Sequence, residues 1–259
     1  MGGWHAHGGA GPVGDLASPV HRLDPRAKVL GLVGVTVVGV STPISAWPAW
    51  VACAAVLVAV AAVGRVPPGV IWRRTRIVLP LVLAAAVFIP FAREGTTVVS
   101  IGPFDASREG LEVLASVAVK ATIGTVSAVL LAATTSVPSI IRGLEAMRVP
   151  RLLILVATFM YRYLFVIAEE LARMRSALAA RAYRPRSLMA IAPLGRMVAA
   201  LFLRSYSRGE RVYLAMLARG FTGEMPRPEA LRLGRSDAVF VAAIALALIP
   251  LRAALGVAS

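Results

Sequence analysis

The 259-residue sequence predicts an all-α integral membrane protein, with about five transmembrane helices and two to three long amphipathic helices on the cytoplasmic side. Three observations carry that expectation. Hydrophobic residues make up 58% of the chain and charged residues only 16%, too few to clothe a soluble domain of this length. The apolar residues gather into separate long runs rather than one core pattern. The 28 Lys and Arg residues, behind a net charge of +15, fall almost wholly between alternate runs.

Residues 1–21 read as a disordered tail. Met1–Gly14 is polar and Gly-rich and lacks the apolar stretch of a cleavable signal peptide. Its His5 and His7 are read with the tail rather than as a metal site. Residues 22–135 hold four apolar runs. The first, Val29–Ala46, follows a basic lead-in of Arg22, Arg26 and Lys28. The second, Trp47–Val63, is edged by Trp47 and Trp50, placed as interfacial aromatics are. Residues 65–76 read as a loop, marked by Pro67-Pro68 and four arginines. The third run, Ile77–Ala92, contains Pro80 and Pro90, and residues 93–110 read as another loop. The fourth, Leu111–Thr135, is interrupted only by Glu112 and Lys120. Residues 136–235 are mixed and basic, and 236–259 hold the fifth run, Ala238–Leu251, and the C-terminus. Several runs fall short of the roughly 20 residues a bilayer requires, so their helices must extend into the flanks.

Counting positive charge sets the orientation. With five spans and a cytoplasmic N-terminus in the inner membrane, 24 of the 28 Lys and Arg residues face the cytoplasm. Only Arg93, Arg108, Lys120 and Arg252 do not. This bias accounts for the net charge without nucleic acid.

Within residues 136–235 the pattern is helical. Pro138–Val149 predicts a short helix with Ser136 as N-cap. Pro150–Tyr183 has no internal Gly or Pro and is stopped by Pro185. Its Leu153, Met160, Leu164, Leu171 and Leu178 fall on one face, and Leu152–Ala168 is apolar enough to touch the membrane. A third helix runs from near Pro193 to Leu217–Arg219, with Gly220 suited to the left-handed position past its end. Small residues recur on one side of it (Gly195, Ala199, Ser205, Gly209), allowing a close helix crossing.

Catalytic patterns are missing. There is no Walker-type phosphate loop and no His-Glu-x-x-His motif, so ATP hydrolysis and zinc chemistry are not expected of this chain. Cys53, the single cysteine, lies in an apolar run and offers neither an intrachain disulfide nor a metal cluster. His21 stands alone. Lys120 sits inside the fourth run, either as a functional intramembrane charge or as one that snorkels or pairs with Glu112 or a neighbouring helix. What remains is a repeated helix end, Ala180-Arg181-Ala182 and Ala218-Arg219-Gly220. Each alone is an ordinary C-terminus with a dipole-compensating arginine. The pair is more informative, because an arginine beside alanines leaves its guanidinium fork free for an acidic or carbonyl-lined groove on a partner.

Several stretches resemble the transmembrane T components of energy-coupling factor (ECF) importers. They are Pro19–Lys28 (PVHRLDPRAK), Thr134–Pro150 (TTSVPSIIRGLEAMRVP), Tyr161–Glu170 (YRYLFVIAEE) and Ala177–Arg181 (ALAAR). Leu203–Gly223 (LRSYSRGERVYLAMLARGFTG) is similar to the cobalt-type CbiQ subgroup. The resemblance implies a non-catalytic membrane scaffold without cofactor, whose two cytoplasmic coupling helices end in Ala-Arg-Gly signatures that dock on two ATP-binding cassette ATPase subunits. Carried over, these are Ala180, Arg181 and Ala182, and Ala218, Arg219 and Gly220. Ala182 departs from the family pattern, where Gly is usual. A separate metal-type substrate-binding membrane subunit, the S component, is implied, so metal ligands need not lie here. The nearest alternative is a T component of a vitamin-type transporter. A remoter one is a membrane-embedded enzyme acting on lipid-linked substrates through Lys120 or the arginines.

Overall fold

The computed structural model describes residues 20, 23–43, 46–86, 97–101, 104–181, 183, 192–223 and 234–256. Among them are eight helices and one short hairpin, so the protein is α-helical in architecture as expected. In chain order these are α1 (Pro25–Ser41), α2 (Trp47–Val63), α3 (Pro68–Ala86), β1 (Thr97–Ile101), β2 (Phe104–Ser107), α4 (Arg108–Thr134), α5 (Val137–Ala146), α6 (Arg151–Ala180), α7 (Ala192–Leu217) and α8 (Arg235–Gly256). They form two compact units, Met1–Ala146 with Leu231–Ser259, and Met147–Ala230. The tail histidines His5 and His7, His21, and Ala182 lie outside the described residues.

In the first unit, helix starts follow local chemistry. Pro25 opens α1 while the Asp24 carboxylate accepts the Arg26 N–H at 2.8 Å. α2 has the bounds its sequence predicts, with Pro48 in its first turn and Gly64 past its end. α3 departs from expectation. It begins at Pro68, so Arg73, Arg74 and Arg76 are helical rather than part of a loop. A proline suits a first helical position and arginine is a good helix former, so the charge that ends an apolar run does not end a helix. The loop expected over 93–110 contains an antiparallel hairpin, with Thr97 opposite Ser107 and Ile101 opposite Phe104. β-branched Thr97, Val98, Val99 and Ile101 favour extended backbone there. Ser107 then caps α4, its hydroxyl accepting the Gly110 N–H at 3.1 Å.

α1 packs against α4, α5 and α8, and α4 also against α2 and α3. Leu32, Val35, Cys53, Leu57, Ile123, Leu130 and Ile244 form the centre of this packing. A Cβ on Gly39 would lie 3.0 Å from Ile123 Cγ2, so glycine lets α1 and α4 approach. The outer faces stay apolar and uncovered, as in Leu30, Val33 and Val37 of α1 and Val51 and Val58 of α2. Trp47 at the start of α2 and Trp72 in the second turn of α3 are both about two-thirds exposed. At 1.5 Å per residue α2 extends about 25 Å, close to the hydrocarbon thickness of a bilayer.

In the second unit α6 packs on α7 with little burial. Ile154 is the only buried residue of α6, and α7 has none. Both α4 and α6 are long and apolar enough to cross a membrane, but the most apolar window of α4 is 28% buried and that of α6 only 6%.

Candidate docking site at two helix ends

α6 and α7 are continuous rods of 30 and 26 residues, about 45 and 39 Å long at 1.5 Å per residue. Half-buried Leu155, Phe159, Tyr163 and Ile167 line the groove between them, facing Ser205 and Gly209. Of the apolar stripe that helical periodicity predicts, Leu153, Met160 and Leu164 are exposed, Met160 also bordering the groove, while Leu171 and Leu178 are half-buried. A wheel projection finds the richest apolar stripe, whereas the contact forms where the small residues of α7 leave room. Glu170 ties the two rods. It accepts hydrogen bonds from Arg204 of α7 and from Arg173 one turn along α6, the latter at 2.6 Å. Glu169 adds an i,i+4 pair with Arg173 at 3.8 Å.

The two helices end alike. At the α7 terminus the Phe221 N–H donates to Met216 O at 3.0 Å and the Gly220 N–H to Leu217 O at 2.9 Å. Gly220 has φ +80°, in the left-handed region the sequence predicts for it. These are the two hydrogen bonds of a Schellman closure. At the α6 terminus the Tyr183 N–H donates to Leu178 O at 3.2 Å, the same six-residue closure. In both, an alanine (Ala180, Ala218) precedes the arginine (Arg181, Arg219), and an aromatic residue follows two places later. Ala180, Arg181, Ala218, Arg219 and Gly220 are all exposed. Each arginine is therefore an exposed cation with five donors at the C-terminus of a helix, where positive charge complements the dipole. Such an end suits anionic or carbonyl groups of a partner. Among the described residues no group of three His, Cys, Asp or Glu side chains could hold a metal ion.

Three residues the sequence reading passes over turn out to be buried and linked. Lys28, which the sequence presents as a topogenic charge, is 2% exposed and donates to Thr134 O at 3.0 Å, at the end of α4. Asp237 accepts the Asp24 N–H and the Gly234 N–H, both at 2.7 Å. The Asp237 and Asp24 carboxylates attract the Lys28 ammonium, joining the starts of α1 and α8 to the end of α4. Asp24-Pro25 is a helix start legible in sequence, but its partner lies 213 residues away. Lys120 is half-buried, and Glu112, one of its possible partners, pairs instead with Arg108 at 3.4 Å.

Comparison with known proteins bears on these features together. The family model for CbiQ, described as cobalt transport protein, matches residues 17–229, from the lead-in to α1 through both arginine-tipped helices. The chain belongs to the CbiQ cobalt transport protein family. Relatives include a protein named as a fused cobalt transport protein, CbiMQ, of Methanocorpusculum labreanum, 27% identical over 83% of this chain and 37% of that protein. The cobalt transport protein CbiQ of Rhodobacter capsulatus is 40% identical over 37% of this chain and 39% of its own length. An uncharacterized protein of Methanocaldococcus jannaschii is 29% identical over 38% of this chain and 34% of its own length. The matched stretch thus spans less than half of each of these relatives. Family membership and the exposed apolar helices agree on a membrane protein.

Proposed function

We propose that the chain is the non-catalytic coupling subunit of an ECF-type ATP-driven importer for cobalt or nickel. In this reading it passes movement from two ATP-binding cassette ATPase subunits to a separate substrate-binding membrane subunit. The observation that carries the proposal is the pair of helix ends, where Arg181 and Arg219 stand exposed and a six-residue hydrogen bond closes each end, Tyr183 N–H to Leu178 O and Phe221 N–H to Met216 O. ATP binding and hydrolysis in the partners move these ends. Because α6 and α7 are continuous and joined through Glu170 and Arg204, a push at either tip displaces both rods, which tilt or release the substrate-binding subunit.

The name of the Methanocorpusculum labreanum relative, a fusion, supports reading this chain as one part of a larger transporter. Metal selectivity then resides in another subunit, consistent with only three His and one Cys here. The bias of 24 of 28 basic residues supports a cytoplasmic N-terminus in the inner membrane, with residues 136–235 on the cytoplasmic side. The apolar stretch Leu152–Ala168 of α6 then lies against the bilayer.

The test is to replace Arg181 and Arg219 by Glu, singly and together. Charge reversal turns each attraction into a repulsion, so each single variant weakens co-purification of the ATPases and the double variant abolishes it together with metal uptake. Persistence of assembly and uptake in the double variant rejects the docking assignment.

A further inference from the structure

Along the seam of α6 and α7 an apolar trough runs into a cationic hollow, and one side chain borders both. The trough is lined by Leu155, Phe159, Tyr163 and Ile167 from α6 and by Ser205 and Gly209 from α7. A Cβ on Gly209 would meet nothing within 4 Å, so the glycine leaves the trough open. Half-buried Arg208 borders this trough and also the hollow formed with Glu170, Arg204, Ser207 and Arg211. Glu170 is already engaged by Arg173 and Arg204. Among the described residues no ion pair joins a carboxylate to Arg208 or Arg211. The hollow therefore carries uncompensated positive charge.

An occupant of both parts needs hydrocarbon at one end and an anion at the other. The geometry points to a bound anionic phospholipid, with an acyl chain in the trough and its phosphate on Arg208 and Arg211. Guanidinium forks match phosphate oxygens, and the arginine stem packs on hydrocarbon while its head reaches the charge. The composition of α6 agrees, since Leu152–Ala168 carries a single charge, exposed Arg162, whereas Glu169, Glu170, Arg173 and Arg175 follow in close succession, with Glu170 bordering the hollow. That change marks the border of hydrocarbon and headgroups. Val156 and Met160, which also line the trough, and Leu164 are exposed and equally suited to acyl chains. The site lies away from the two helix tips, so it stands or falls separately from the docking role of Arg181 and Arg219.

The experiment is native mass spectrometry of the full chain in detergent, titrated with phosphatidylglycerol or phosphatidylcholine. The wild type retains phosphatidylglycerol in preference, and excess inorganic phosphate does not displace it. Arg208→Gln with Arg211→Gln lowers phosphatidylglycerol retention roughly tenfold or more while phosphatidylcholine retention is unchanged. Gly209→Leu, which fills the trough and favours the helix, lowers retention of both lipids. Equal retention of the two lipids by the wild type overturns the inference. So does displacement by phosphate, which marks a free-anion site, or unchanged lipid retention in either variant. Loss of a co-purifying protein subunit from the arginine variant, with phosphatidylglycerol still held, makes the seam a protein contact and also overturns it.

Discussion

Leu130 of α4 is fully enclosed by its neighbours, whereas Leu164 of α6 is 56% exposed. The two leucines are alike in chemistry and both lie on long apolar helices, yet one has its partners within the chain and the other does not. The same holds for charge. Lys28 and Asp237 are buried and linked across the first unit, while Arg181 and Arg219 stand in the open at the tips of the second. The first unit encloses a core of its own, although its outer apolar faces stay uncovered. The second presents surfaces that other molecules must complete, which is what a coupling element requires.

The largest expected effect lies in the first unit. Asp237→Ala removes a counter-charge of buried Lys28 and leaves the Asp24 and Gly234 N–H groups without an acceptor. The loss is about 3–5 kcal/mol, the usual result of breaking a buried charged pair, read by thermal unfolding in detergent. A wild-type melting curve for this variant would mean that the cluster is not structural. The sharpest comparison follows. Leu130→Ala costs about 3 kcal/mol through the cavity it leaves, whereas Leu164→Ala changes the stability of the isolated chain by less than about 0.5 kcal/mol. Equal costs in the same unfolding assay would erase the distinction between the units. A smaller effect than the loss of Leu130 is local. A methyl on Gly220 meets nothing within 4 Å, so Gly220→Ala suffers only from its φ of +80°, about 1–2 kcal/mol. Faster amide exchange confined to the end of α7 is the expected signature.

Much of this division was legible in the residues. α2 matched because Trp47-Pro48 and Gly64 mark both its ends, and the α7 terminus matched because Gly220 suits a left-handed turn. α3 was misplaced because hydropathy sees charge and not helix propensity, so Arg73, Arg74 and Arg76 looked like a loop. The hairpin over 97–107 was hidden by its brevity. Lys28 and Asp237 were opaque for a different reason: their link depends on helices brought together from opposite ends of the chain. The repeated Ala-Arg was visible, but the shared closure behind it depends on backbone beyond the helix. The face of α6 that meets α7 depends on a fit between two surfaces, and periodicity describes only one.

Site-specific photo-crosslinking is the most direct test of the coupling role. A photoreactive side chain is placed singly at the positions of Arg181, Arg219 and Leu164 in membranes containing the complete transporter. The expected result is ATPase adducts from the two helix ends and none from position 164. ATPase adducts from position 164 and none from either helix end would contradict the assignment of the arginine-tipped ends as the coupling contacts.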